Sequence, residues 1–138
     1  MKGNAAPRLF GGLLLFALAF LVGACGHKRD DSDINTFPAN YKADIIAAMH
    51  AYLNDPTGIR DTGLSEPVLK PVERTMRYVA CLRFNGKRNA TEYAGVKQVA
   101  AVFLAGRFDH FVEQSRESRE LCDNATYAPF PELEKLPR

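Results

Sequence analysis

The segment from Arg74 to Asn85 alternates between two sets of side chains, and this alternation constrains the fold more than any other feature. One set is apolar throughout: Met76, Tyr78, Ala80, Leu82 and Phe84. The other set is mixed: Thr75, Arg77, Val79, Cys81, Arg83 and Asn85. Successive side chains of a strand point to opposite faces of a sheet, so the segment predicts a long, half-buried strand.

A helix is predicted before this strand. Residues 41–54 carry apolar side chains at helical spacing, among them Ile45 and Met49. Asn40 is a suitable N-cap. The helix should end before Pro56, because a residue that precedes proline avoids the α conformation. We expect this helix to pack on the sheet.

Other segments predict further strands. Residues 59–72 are interrupted by prolines and predict one irregular edge strand. Residues 96–104 are almost wholly small or apolar, and Ala105-Gly106 predicts a tight hairpin into residues 107–111.

The C-terminal part completes the predicted fold. Residues 112–122 favour a helix, and residues 127–131 favour an extended tail. The sequence thus predicts a single α+β domain over residues 41–138. Its N-terminal helix would pack on a small antiparallel sheet of three or four strands, followed by a short C-terminal helix.

The N-terminal segment has a different character. Lys2 and Arg8 precede and border an apolar run over residues 9–22, and no acidic residue occurs before Asp30. A positive start followed by a short apolar run is typical of a secretory signal peptide. The run is shorter than the roughly 20 residues needed to span a bilayer.

The tetrapeptide Val22-Gly23-Ala24-Cys25 follows this run. It resembles the lipobox of bacterial lipoproteins, which reads aliphatic, small, small, cysteine. The resemblance implies a signal peptide over residues 1–24 and a diacylglycerol on Cys25, with its new amine available for an N-acyl chain. It implies no other cofactor. Cleavage at another small residue, leaving a free thiol, and an uncleaved anchor are the alternatives.

The same resemblance implies a location and a tether. The protein would face the periplasm, and Gly26 after the cysteine favours the outer membrane over the inner membrane. Polar residues 25–40 would form a flexible tether between the lipid and the domain. The membrane is then the first partner, through the lipid anchor, and an envelope protein is the second.

Two cysteines remain when Cys25 is assigned to lipid. An exported chain with Cys81 and Cys122 predicts a disulfide, with a redox pair or catalytic thiol as the alternative.

Removing residues 1–24 takes two of the 18 basic residues and none of the 16 acidic ones, so the mature chain has zero formal charge. This balance argues against a nucleic-acid partner, which needs a basic face.

No metal or catalytic motif is evident. His27, His50 and His110 have no neighbour at metal-ligand spacing. Ser65, Asp109 and His110 are a conceivable hydrolase triad, but no nucleophile elbow surrounds the serine. We therefore assign no catalytic residue and no metal ligand.

Basic residues form the one suggestive cluster. Arg77 and Arg83 share a strand face, Lys87 and Arg88 follow in the next loop, and Lys97 lies beyond them. The first four predict an anion site for a lipid headgroup, a glycan phosphate or an acidic partner. The alternative is a solvated sheet face that resists edge aggregation.

A second resemblance covers much of residues 41–112. The segments Leu53-Asn54-Asp55-Pro56-Thr57, 79–85 and Tyr93-Ala94-Gly95 resemble small exported bacterial domains of unknown function. The leading hypothesis is a non-enzymatic envelope lipoprotein with a structural or docking role. The alternatives are a binding module for an anionic envelope ligand and an uncharacterised hydrolase.

Overall fold

The computed structural model describes residues 34–113 and 116–138. Helices and strands follow one another as α1 (Tyr41–Tyr52), β1 (Arg60–Leu64), β2 (Val68–Val72), β3 (Thr75–Asn85), β4 (Lys97–Leu104), β5 (Arg107–Glu113), α2 (Arg116–Leu121), β6 (Ala128–Pro129) and α3 (Pro131–Glu134). The six strands form one antiparallel sheet in the order β5-β4-β3-β1-β6, with β2 also paired to β3.

Strand β3 is the centre of the sheet, as its alternating sequence predicts. One edge pairs with β4, whereas the other pairs with β2 near Thr75 and with β1 near Asn85. Its 11 residues extend about 33 Å, which is long enough for two short strands placed end to end. We call the end with the hairpin turns Glu73–Arg74 and Ala105–Gly106 the turn end, and the end with residues 86–96 the loop end.

Each face of the sheet buries its own apolar cluster. Helix α1 inserts Ile45 and Met49 against the even-numbered side chains of β3, and Phe130 and Leu133 join them from the C-terminal tail. The opposite face packs around the disulfide with Leu121 of α2. In the mixed set of β3, Val79, Cys81 and Asn85 are buried, whereas Thr75 and Arg83 are exposed.

The predicted disulfide is confirmed. Cys81 and Cys122 are bonded across 41 positions of sequence, with their Cα atoms 5.6 Å apart. The bond ties the end of α2 to the middle of β3. It thereby fixes the short helix over the sheet face that α1 leaves uncovered.

The predicted fold class was wrong. The sheet has six strands rather than three or four, and α1 begins only at residue 41, so it is not an N-terminal helix. Ser65, Glu66 and Pro67 divide the expected single edge strand into β1 and β2, while two tail residues add β6. Strand β5 continues to Glu113, which confines α2 to Arg116–Leu121.

Several sequence predictions lie outside the described residues. They are the signal peptide over residues 1–24, Cys25 with its lipid, and most of the tether. Among residues 34–113 and 116–138, no helix has the length and apolar character needed to cross a membrane.

Candidate anion-binding cleft

Four cationic side chains converge on one cleft at the loop end of the sheet. The cleft has a volume of about 690 Å³, and no carboxylate lines it. Its cations are Lys87, Arg88, Lys97 and Arg119. A neighbouring cleft of about 560 Å³ shares the first three and adds Arg138. Together these five cations form what we call the basic cleft.

The Lys87 side chain passes close to Gly58. A Cβ atom at Gly58 would lie 2.8 Å from Lys87 Cε, so a larger residue there would make the end of the lysine side chain shift. Gly58 also has a φ of +67°, a conformation that favours glycine. The Tyr93 hydroxyl donates to the Gly58 carbonyl at 2.9 Å, and Lys87 and Tyr93 form a β-bridge.

The loop that carries Arg88 is closed by its own hydrogen bonds. The Arg88 N–H donates to the Glu92 carbonyl at 2.8 Å. The Asn89 side-chain oxygen accepts from the backbone N–H groups of Thr91 and Glu92 at 3.0 and 2.9 Å. The Asn85 side chain accepts from Gly95 N–H at 3.1 Å. The loop is therefore held in shape without a ligand.

Lys97 and Arg119 reach the cleft from two other elements. Lys97 opens β4 and pairs with Phe84 near the end of β3. Arg119 lies on α2, three residues before the disulfide-bonded Cys122. Sequence reasoning missed Arg119 because its position depends on how the disulfide places α2. The one sequence signal was its helical spacing from Cys122.

The larger part of the basic cleft is lined by cations without a carboxylate, whereas Asp55 lines the smaller part. Among the described residues, Lys87, Arg88, Lys97 and Arg119 form no salt bridge. Arg138 is paired, since its Nη2 lies 3.9 Å from Asp55 Oδ2. Clefts lined by one sign of charge concentrate ions of the opposite sign.

Asp55 lines the smaller part of the basic cleft, and its pKa is lowered. Hydrogen bonds from the Thr57 hydroxyl and backbone N–H are the main cause, and the charges of Arg138 and Lys87 add to it. The carboxylate caps its own loop at Thr57, at 2.5 Å from the hydroxyl oxygen. The ionised carboxylate therefore adds one negative charge to the smaller part of the basic cleft, near Arg138 and Lys87.

The structure does not bring Arg77 and Arg83 to this cleft. The Arg83 guanidinium carbon lies 4.9 Å from the centre of the Tyr127 ring, a cation–π contact on the disulfide face. Arg77 pairs across the sheet with Lys70 nearer the turn end. Six residue steps along β3 separate the two arginines by about 20 Å. Of the predicted four residues, only Lys87 and Arg88 lie together.

The residues of the conceivable hydrolase triad are also apart. Ser65 is buried between β1 and β2, where its hydroxyl binds Cys81 N–H. His110 and Asp109 pair with each other on β5, with 2.9 Å between Nδ1 and Oδ2. Strands β4 and β3 lie between the two places. No group of three potential metal ligands occurs in the described part of the chain.

A second cleft, of about 510 Å³, lies between β2 and residues 123–130. Val68, Val79 and Phe130 contribute apolar wall. Two cations and two acids also line it, so their formal charges cancel: Lys42, Lys70, Glu66 and Asp123. The Lys70 ammonium already has a hydrogen-bond partner within the protein, because it donates to the Leu121 carbonyl. This cleft has no charge preference, in contrast to the basic cleft.

Comparisons with protein-family models, curated proteins and solved structures find no match for this chain. Fold and site together define an antiparallel-sheet domain with a helix on each face and a basic cleft at one end.

Proposed function

We propose that this protein is a lipid-anchored binding module of the bacterial cell envelope that takes an anionic ligand in the basic cleft. The observation that carries the proposal is the convergence of four cations from three elements with no carboxylate among them. In a mature chain of balanced charge, such segregation is not the expected surface pattern, because cations and acids are normally interspersed. The proposed role is binding, without a chemical reaction.

The shape of the basic cleft favours a multivalent anion. Lys87, Arg88 and Lys97 line both of its parts, with Arg119 at one side and Arg138 at the other. A ligand with several negative groups in a row would contact the first four, whereas Arg138 is paired with Asp55. Arginine binds carboxylate and phosphate in a bidentate manner, whereas lysine acts as a point charge. An acidic glycan or a phosphate-bearing polymer has this chemistry.

Charge reversal in the basic cleft tests the proposal. The full-length chain in nonionic detergent is titrated calorimetrically with oligogalacturonate and, separately, with polyphosphate. Lys87→Glu/Arg88→Glu should weaken binding at least about tenfold, because each charged hydrogen bond contributes about 1.5–3 kcal/mol. The two ligands distinguish carboxylate from phosphate recognition.

The matched control changes the same charge elsewhere. Arg74→Glu/Arg107→Glu alters two exposed arginines at the turn end. It should change the affinity far less than the cleft variant does. Equal losses for both variants would show that net charge alone drives binding, and no binding of either polyanion would also contradict the proposal.

A further inference from the structure

The turn end carries an exposed apolar surface that the fold leaves uncovered. Phe37, Leu69 and Met76 are 46%, 40% and 45% exposed. Leu69 pairs with Tyr78 and Pro71 with Met76, so these four side chains share one sheet face. The Phe37 ring stands edge-on to Tyr78 with 5.3 Å between the ring centres. We call Phe37, Leu69, Pro71, Met76 and Tyr78 the apolar platform.

Helix α1, together with Phe130 and Leu133, covers the rest of this face, and of the platform residues Tyr78 packs against this core cluster. It begins at Tyr41 and reaches the loop-end half of the sheet, where Tyr52 contacts Phe84 and Phe111. Ile45 and Met49 lie over the middle of the sheet. The platform is therefore an unpartnered continuation of a core face.

The chain enters the domain beside the platform. The Ile34 carbonyl accepts a hydrogen bond from Ala105 N–H at 3.1 Å, in the turn of the β4–β5 hairpin. Nine residue steps separate Ile34 from Cys25, and such a segment reaches at most about 30 Å. A lipid on Cys25 would hold the turn end toward the bilayer.

Two exposed arginines and one exposed glutamate border the platform. Arg74 and Glu73 lie in the β2–β3 turn, and Arg107 borders the β4–β5 turn. Exposed apolar side chains flanked by arginine or lysine are typical of surfaces that lie in the membrane interface. A strand of another chain is a less suitable partner for this region than a bilayer, because Pro71 leaves the outer edge of β2 without one backbone hydrogen-bond donor.

We infer that the apolar platform lies in the headgroup region of the bilayer that holds Cys25, as a second attachment beside the lipid. This inference rests on the lipid anchor of the proposed function. The position of the platform also restricts which anion can occupy the basic cleft. The basic cleft lies at the other end of β3, about 33 Å from the turn end. Its anion is therefore not a headgroup of the anchoring leaflet.

A single introduced tryptophan tests the inference, since the chain contains none. Met76→Trp places the probe on the platform, and Val96→Trp places it at the loop end, at a side chain 61% exposed. Each full-length lipoprotein is reconstituted into vesicles of phosphatidylcholine and phosphatidylglycerol, with or without acyl chains brominated near the headgroup. Leu69→Trp repeats the platform measurement independently.

The platform variants should show blue-shifted emission and a severalfold larger loss of fluorescence to bromolipid than Val96→Trp. Equal quenching of all variants on vesicle-bound protein would overturn the platform but leave the anchor intact. A blue shift that depends on protein density and not on bromolipid would indicate a second copy and also overturn it. Flotation with vesicles reports the anchor separately. A wild-type chain that does not float contradicts the proposed lipid attachment, and without flotation the platform inference fails too.

Discussion

The Ser65 hydroxyl accepts a hydrogen bond from Cys81 N–H at 2.8 Å, and Ser65 N–H donates to the Cys81 carbonyl at 2.9 Å. On one edge of β3, Cys81 pairs with Ala100 of β4. On the other edge it lies between the ends of β1 and β2, and neither of these strands has a residue paired with it. One serine thus satisfies both backbone groups of a buried residue. Through these two hydrogen bonds, β3 also has a backbone partner at Cys81, between the part that pairs with β1 and the part that pairs with β2.

Ser65→Ala should lower the free energy of unfolding by about 1–3 kcal/mol, because it leaves the buried Cys81 N–H without an acceptor. Urea unfolding followed by circular dichroism measures the change. Thr126→Ala, at an exposed position near the same loop, is the control and should have little effect. Equal stability of Ser65→Ala and wild type would show that water replaces the hydroxyl.

Replacing both bonded cysteines by alanine should destabilise the domain by about 4 kcal/mol, the chain-entropy value for a loop of 41 residues. The disulfide also holds α2 and hence Arg119. We therefore expect Cys81→Ala/Cys122→Ala to weaken polyanion binding even where the domain remains folded. Calorimetric unfolding and titration on the same samples measure both effects. An unchanged unfolding midpoint would contradict a structural role for the bond.

The lowered pKa of Asp55 predicts a pH dependence of stability. A carboxylate whose pKa is lower in the folded state stabilises the fold above its ordinary value of 3.8, and that contribution disappears as the pH falls through the lower folded value. Asp55→Asn should therefore be less stable than wild type near neutral pH, with the difference shrinking below 3.8. Glu132→Gln controls for the loss of one exposed negative charge. A difference that does not vary with pH would contradict the assignment.

The pKa of Tyr52 is raised to about 12, first by burial and then by the hydrogen bond and charge of Glu113. This tyrosine should remain protonated while exposed phenols ionise near 10. Its stabilising contribution is present below 10 and is lost as the pH rises toward 12. Tyr52→Phe should remove the latest step of an ultraviolet titration. Loss of an early step instead would contradict this.

Local sequence predicted the parts of the fold that carry strong periodicity. Alternation over 11 residues specified β3, and helical spacing specified α1. Strand β6 has only two residues, too few for any period to show, and it forms because Gly63 and Leu64 offer it an edge. The number of strands therefore depended on long-range pairing that no local pattern encodes.

The candidate site was predictable only in part, for a similar reason. Lys87 and Arg88 are adjacent in sequence and share a loop, so their proximity needs no tertiary information. Arg83 lies on β3 shortly before this loop, but its contact with the Tyr127 ring places it on another surface. Arg119 joins only through the disulfide-fixed position of α2. Charge proximity in sequence therefore predicts two of the five cations of the basic cleft.

Chemical-shift mapping tests the central claim most directly. Oligogalacturonate is added to the isotope-labelled full-length chain in nonionic micelles, and the backbone amide signals are followed. The largest changes should fall within residues 86–98 and 116–121, at the loop end, while residues 70–78 and 104–108 at the turn end stay unchanged. Largest changes at the turn end, or no changes at saturating ligand, would contradict an anion site in the basic cleft.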